Sequence, residues 1–151
     1  MQNPEIELRP AMIFAFVKSL PLILLGVAFL PLAWRLSPFF LFFSIAAIGV
    51  AWYRFMYIRN SLYIVTPEVI RISRGIFFKR IDQVEMYRVK DYIVTQPLSL
   101  QLFSLMNVTL KSTDPENPIL WLAGIPRSDL IDTIRSHVQE ARKDNRIYEI
   151  N

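Results

Sequence analysis

The chain has 151 residues, 53% of them apolar, with a mean hydropathy of +0.32 and a formal net charge of +4. It holds no cysteine and one histidine, which excludes a disulfide scaffold or a thiolate metal site and leaves few other metal chemistries open. The apolar excess sits before Arg59. Residues 1–59 hold five basic against two acidic side chains, and residues 60–151 twelve against eleven, a balance that excludes a general polyanion binder.

Residues 1–10 form a short tail that carries Glu5 and Glu7 and lacks a basic n-region, so a cleaved secretory signal fits poorly. Pro10 suits the opening of a helix, where its missing N–H costs nothing. From Ala11 to Tyr57 two long apolar runs are separated only by Arg35, Leu36, Ser37 and Pro38. At ~1.5 Å per residue, residues 11–34 span roughly 36 Å and residues 37–57 about 30 Å, against a hydrocarbon core of ~30 Å. The spacing predicts an antiparallel transmembrane hairpin over residues 11–59, with Pro21 kinking the first helix. Trp34, Phe39 and Phe40 suit one aromatic belt and Trp52, Tyr53 and Tyr57 the other. Arg35 alone marks the turn, whereas Arg9, Lys18, Arg54 and Arg59 lie near the other ends, so the positive-inside rule places both termini in the cytoplasm. Lys18 is first an anchor whose stem snorkels to the headgroups, and second a charge facing a partner helix or polar cavity.

After Ser61 the period changes to two. Strands are expected over residues 62–65, 69–73, 76–86 and 89–94, with Thr66-Pro67-Glu68 and Gly75 in the first two turns. A short helical turn or irregular crossing over residues 98–105 leads to strands over residues 107–111 and 119–122, with Gly124 ending the last. Leu130, Ile134, Val138 and Ala141, with Ile131 beside them, then form one apolar stripe on a C-terminal helix over residues 126–143, opened by Pro126. Asp129 and Asp132 near its start and Arg142 and Lys143 at its end carry the signs its dipole prefers. Residues 60–145 thus make one domain, and residues 146–151 a tail.

Short strands closed by one amphipathic helix, placed after an apolar helix pair, resemble the bacterial pleckstrin-homology-like membrane proteins. The resemblance is carried by Leu8-Arg9-Pro10, Tyr63-Ile64-Val65-Thr66, Gly75 before a strand with Arg80, Val84 through Val94, Gln96, Asn107-Val108-Thr109-Leu110 and Leu122-Ala123-Gly124-Ile125-Pro126. Where many relatives have glycines, residues 102–106 have Ser104 and no glycine. The resemblance implies a membrane helical hairpin plus a mainly-β PH-like domain, either a strongly bent barrel or two near-orthogonal antiparallel sheets, capped by the C-terminal helix. It also implies a bacterial inner membrane and a role in membrane complexes.

Catalytic chemistry has little support. His137 falls off the apolar stripe, so a solvated helix face is expected, and the four glycines are too scattered for a phosphate loop. Residues 71–90 carry six basic side chains against Asp82 and Glu85. Among them Arg71, Arg74, Lys79 and Arg80 would converge near one hairpin to bind an anionic lipid headgroup or acidic partner, or would form a solvated edge that deters aggregation. No metal or other cofactor is expected. Nucleic acid is excluded as a partner, because exposed aromatics do not interleave with the basic segment. The expected function is a non-enzymatic adaptor that recruits or assembles proteins, itself included, at the membrane. The alternatives are an integral subunit of an export or transport assembly, using Lys18, and an anionic-headgroup-binding module.

Overall fold

The computed structural model describes residues 5–145. Strand β1 (Ile6–Leu8) precedes two long helices, α1 (Met12–Arg35) and α2 (Phe40–Arg59), which form an antiparallel pair. Strands β2 (Leu62–Val65), β3 (Val69–Arg74) and β4 (Arg80–Glu85) follow, then a 3-10 turn over Met86–Arg88 and strand β5 (Val89–Thr95). The short helix α3 (Leu98–Leu102), strands β6 (Leu105–Ser112) and β7 (Ile119–Pro126) and helix α4 (Leu130–Asp144) complete the described chain. The tail expected at residues 146–151 lies outside the described residues.

The strands form two antiparallel sheets, β1-β2-β3-β4 and β5-β6-β7, which do not close into a barrel. The two-sheet form is therefore the one adopted. Alternation sorts the side chains: Tyr63, Val65, Ile70, Ile72 and Val84 of the first sheet face Val108, Leu110, Leu120 and Leu122 of the second, all buried. Leu130, Ile134 and Val138 of α4 complete this core, with Ile131 and Ala141 packed at its margin, as the stripe predicts. Burying each such side chain contributes ~1.5–3 kcal/mol.

Four elements differ from the sequence expectation. Residues 6–8 are not free tail but an edge strand, registered Ile6 to Val65 and Leu8 to Tyr63. Three residues are too short for a periodic pattern to show, and the partner strand lies beyond both long helices. Strand β4 begins at Arg80 rather than at residue 76, because Gly75 turns the chain with a φ of +113° and residues 76–79 form a loop. A Cβ at Gly75 would lie 2.0 Å from the Phe78 carbonyl oxygen, so only glycine fits. Gly124 does not end β7 but occupies it with a φ of +65°, opposite a register shift between Met106 and Val108. Pro126 consequently ends β7, and α4 starts four residues later with Asp129 at its N-cap position.

In the helix pair, Gly26 of α1 meets α2 closely: a Cβ there would lie 2.7 Å from Ile48 Cγ1. The Ser44 hydroxyl donates to the Gly26 carbonyl at 2.8 Å beside this crossing. Small residues and an interhelical hydrogen bond are how helices pack when burial of apolar surface supplies no drive. Only 22% and 11% of the most apolar stretches of α1 and α2 are buried, and both helices are long and apolar enough to cross a membrane.

Candidate functional site

The helix pair meets the sheets through a socket. Ala11 donates its N–H to the Gly124 carbonyl at 2.8 Å, and the Gly124 N–H is held by Asn107 Oδ1 at 2.8 Å. Phe14 lies over Gly124, where a Cβ would come within 2.2 Å of its ring. Phe14, Leu100 and Leu105 form a second buried cluster, with Ala11, Ile58 and Ala123 packed against it. Arg59 at the end of α2 reaches the Pro10 carbonyl at 3.5 Å. The Tyr63 hydroxyl accepts from the Ala123 N–H at 3.3 Å, tying the first sheet to the same stretch of β7. Burial pushes the Tyr63 phenol up despite that bond.

The β3–β4 loop belongs to this end of the domain too, since Asn60, the residue after α2, donates its side-chain amide to the Gly75 carbonyl at 2.7 Å. The basic residues sort around it differently from the expected single cluster. Arg74 and Arg80 are direct cross-strand partners. Arg71 lies on the opposite face of β3, because residues 71 and 74 differ by an odd number of positions. It donates from Nε and Nη2 to Gln83 Oε1 at 3.3 and 3.2 Å. Arg74 donates to the Trp121 carbonyl at 3.1 Å. Arg80 donates from Nε to Asp82 Oδ1 at 2.7 Å, a hydrogen bond that raises its already high pKa. Lys79 is exposed in the loop. The structure thus brings Arg74, Lys79 and Arg80 together and leaves Arg71 apart.

Lys18 lies on the exposed side of α1, not against α2. Its ammonium sits 5.8 Å from the centre of the Phe14 ring, one turn closer to the domain. That direction is the one a snorkelling side chain takes.

His137 is half-buried rather than solvated, and its Nδ1 has no hydrogen-bond partner among the described residues. It lines an open groove of about 630 Å³ between the β2–β3 turn and α4, with Glu68, Glu85, Glu140 and Asp144. Among the described residues no three His, Asp or Glu side chains are grouped to hold a metal ion.

The sequence profile of the bacterial PH domain matches residues 12–142, most of the chain. The chain belongs to the bacterial PH domain family. No curated protein and no solved structure matches it. In this bacterial PH domain protein the match begins at the first residue of α1, so the helix pair belongs to the family pattern together with the sheets and α4. Asn107, Ala123 and Gly124 stand out in the sequence only as part of the family resemblance, and their joining to Ala11 and Phe14 does not, as Gly124 and Phe14 lie over a hundred positions apart. One signal for the β3–β4 loop was present: Phe77 and Phe78 are consecutive, which breaks the alternation of a half-buried strand.

Proposed function

We propose that this bacterial PH domain protein is a non-enzymatic adaptor whose α1 and α2 cross the bacterial inner membrane as a hairpin, with both termini cytoplasmic. The PH-like domain is held at the cytoplasmic face, where it recruits or assembles protein partners, further copies of itself included. One observation carries the reading: two long apolar helices with mostly exposed side chains are docked on the domain through Ala11, Phe14 and Ile58, so the anchor and the module move as one. Pairing of β1 with β2 supports the shared side of residues 6–8 and 62–65, since those strands flank the hairpin. The alternating Arg35 against Arg9, Lys18, Arg54 and Arg59 supports the cytoplasmic assignment. A module confined to a surface meets partners at raised effective concentration, so a weak contact suffices.

The absence of native cysteine makes single-cysteine reporters clean. In intact spheroplasts an impermeant maleimide should label Ser37→Cys, between the helices, and leave Glu116→Cys, in the β6–β7 loop, unlabelled until the membrane is opened. The reverse pattern would refute the orientation. Gentle extraction of the full-length protein followed by native mass measurement should give a complex larger than one chain, whereas a bare monomer would refute the adaptor role.

A further inference from the structure

Outside the helix pair and its turn, the four most exposed large apolar side chains among the described residues are Phe77 at 82%, Phe78 at 93%, Leu98 at 79% and Leu102 at 81%. They come from two elements distant in sequence, the β3–β4 loop and α3. Both elements are fastened to the same end of the domain. The loop is bonded to Asn60 through Gly75, and α3 inserts Leu100 beside Phe14 and Ile58. On α3, Leu98 and Leu102 are spaced i,i+4 and share a face, while Leu100 points into the socket.

Position relative to the helices limits what covers this apolar set. Helix α2 has 20 residues and fills a hydrocarbon core of ~30 Å at ~1.5 Å per residue. Asn60 follows it directly, and a headgroup layer of roughly 5–8 Å lies on each side of that core. A loop bonded to Asn60 therefore starts within the headgroup layer. The flanking charges match this setting: Lys79 and Arg80 follow the phenylalanines directly, Arg74 stands across from Arg80, and a guanidinium bonded through one Nε–H keeps its other donors for phosphate. Apolar side chains at the acyl boundary with cations at the phosphates are the arrangement of an interfacial membrane contact.

We infer that the β3–β4 loop and α3 form a second membrane contact, in which Phe77, Phe78, Leu98 and Leu102 embed at the acyl–headgroup boundary of the leaflet from which the hairpin emerges, while Arg74, Lys79 and Arg80 engage lipid phosphates. This rests on the reading of α1 and α2 as a membrane hairpin. The domain is then seated on the bilayer at its base rather than swinging on a tether, and its lateral strand edges and the acidic groove at His137 stay open to partners.

The test uses the full-length protein in nanodiscs of phosphatidylcholine and phosphatidylglycerol. Single-cysteine variants Phe78→Cys, Leu102→Cys, Val50→Cys and Glu116→Cys carry an environment-sensitive fluorophore, and lipids with a nitroxide high on the acyl chain act as quencher. Val50 is exposed on α2 and reports the hairpin itself, while Glu116 lies in the loop at the far end of β6 from the socket. Quenching at Phe78→Cys and Leu102→Cys should approach that at Val50→Cys and exceed that at Glu116→Cys several-fold. Strong quenching at Val50→Cys with none above the Glu116→Cys level at the other two would overturn the inference and leave the hairpin standing. No quenching at Val50→Cys would overturn the hairpin reading and this inference with it. Labels at Phe78→Cys and Leu102→Cys that are shielded from water but escape the lipid quencher, with shielding that grows with protein density, would assign the patch to a second copy and overturn the membrane contact.

Discussion

Replacing Gly124 by alanine probes the joint between the helix pair and the sheets. The φ of +65° puts a non-glycine residue in the left-handed region, at a cost of ~1–2 kcal/mol. The new methyl would also lie 2.2 Å from Phe14 Cγ and 2.8 Å from its Cβ, and the latter is too close to the backbone to swing away. Overpacking of this kind costs ~1–3 kcal/mol, so the joint should weaken by roughly 2–5 kcal/mol in all. Hydrogen exchange of the full-length protein in nanodiscs reads the effect directly at the Ala11 and Gly124 amides, both bonded in the socket. At about 1.4 kcal/mol per factor of ten, exchange there should accelerate by tens- to thousands-fold. The control is a cycle with Phe14→Ala, which alone should cost ~3–5 kcal/mol as a buried aromatic truncation. The double variant keeps the backbone strain and the 2.8 Å approach to the residue-14 Cβ but loses the clash with the ring, so its cost should fall short of the sum by about 1–2 kcal/mol, part of the overpacking cost. Additive costs, or unchanged exchange in Gly124→Ala, would refute the close-contact reasoning.

Gly26→Val should push α1 and α2 apart at Ile48, where a Cβ has only 2.7 Å, with Ile48→Ala restoring contact; the spacing is measured by spin-label distances between the helices. Tyr63 should give the domain an alkaline limit. Its phenol pKa is raised by burial, so above the ordinary tyrosine value of ~10 the unfolded chain ionises first and stability falls as pH rises, whereas below it both states stay protonated. Comparing denaturant midpoints of wild type and Tyr63→Phe across that range should show a shallower alkaline slope in the variant. Lys18→Leu should leave membrane integration and complex mass unchanged, because Lys18 is exposed two turns inside α1, where its stem reaches the interface and its charge costs less than the ~2.5–3.5 kcal/mol that insertion scales give at a bilayer centre. Loss of the complex in that variant would move the weight to a subunit whose partner helix touches Lys18.

The elements with a long repeating pattern were legible in the sequence. Residues 12–35 and 40–59 declare themselves by length and hydropathy, and Leu130, Ile134 and Val138 by helical spacing, because each pattern reports a single continuous surface. The errors fall where one residue's environment is set by a distant one. Gly124 reads as a strand breaker, yet the hydrogen bonds from Ala11 and to Asn107 keep it in β7 and move the helix start past Pro126. The basic residues were legible as a set but not as a geometry: charge is read from composition, whereas the face of each side chain depends on where β4 begins. Starting β4 at Arg80 rather than at residue 76 pairs Arg74 with Arg80 and turns Phe77 and Phe78 from strand residues into a loop tip.

The pairing of β1 with β2 also orders events during synthesis. Strand β1 is made first, yet its partner appears only after both long helices, so for most of the time the ribosome spends on the hairpin Ile6–Leu8 has nothing to pair with. Joining two segments across a flexible loop of that length would cost ~3–4 kcal/mol beyond a constant. A helix pair already clasped at Gly26 and Ser44 returns the chain to within reach of its starting point and removes most of that penalty. On the proposed hairpin reading, insertion of one helix alone would leave β1 and β2 on opposite sides of the bilayer, with the β2 edge at Tyr63 and Val65 unpaired.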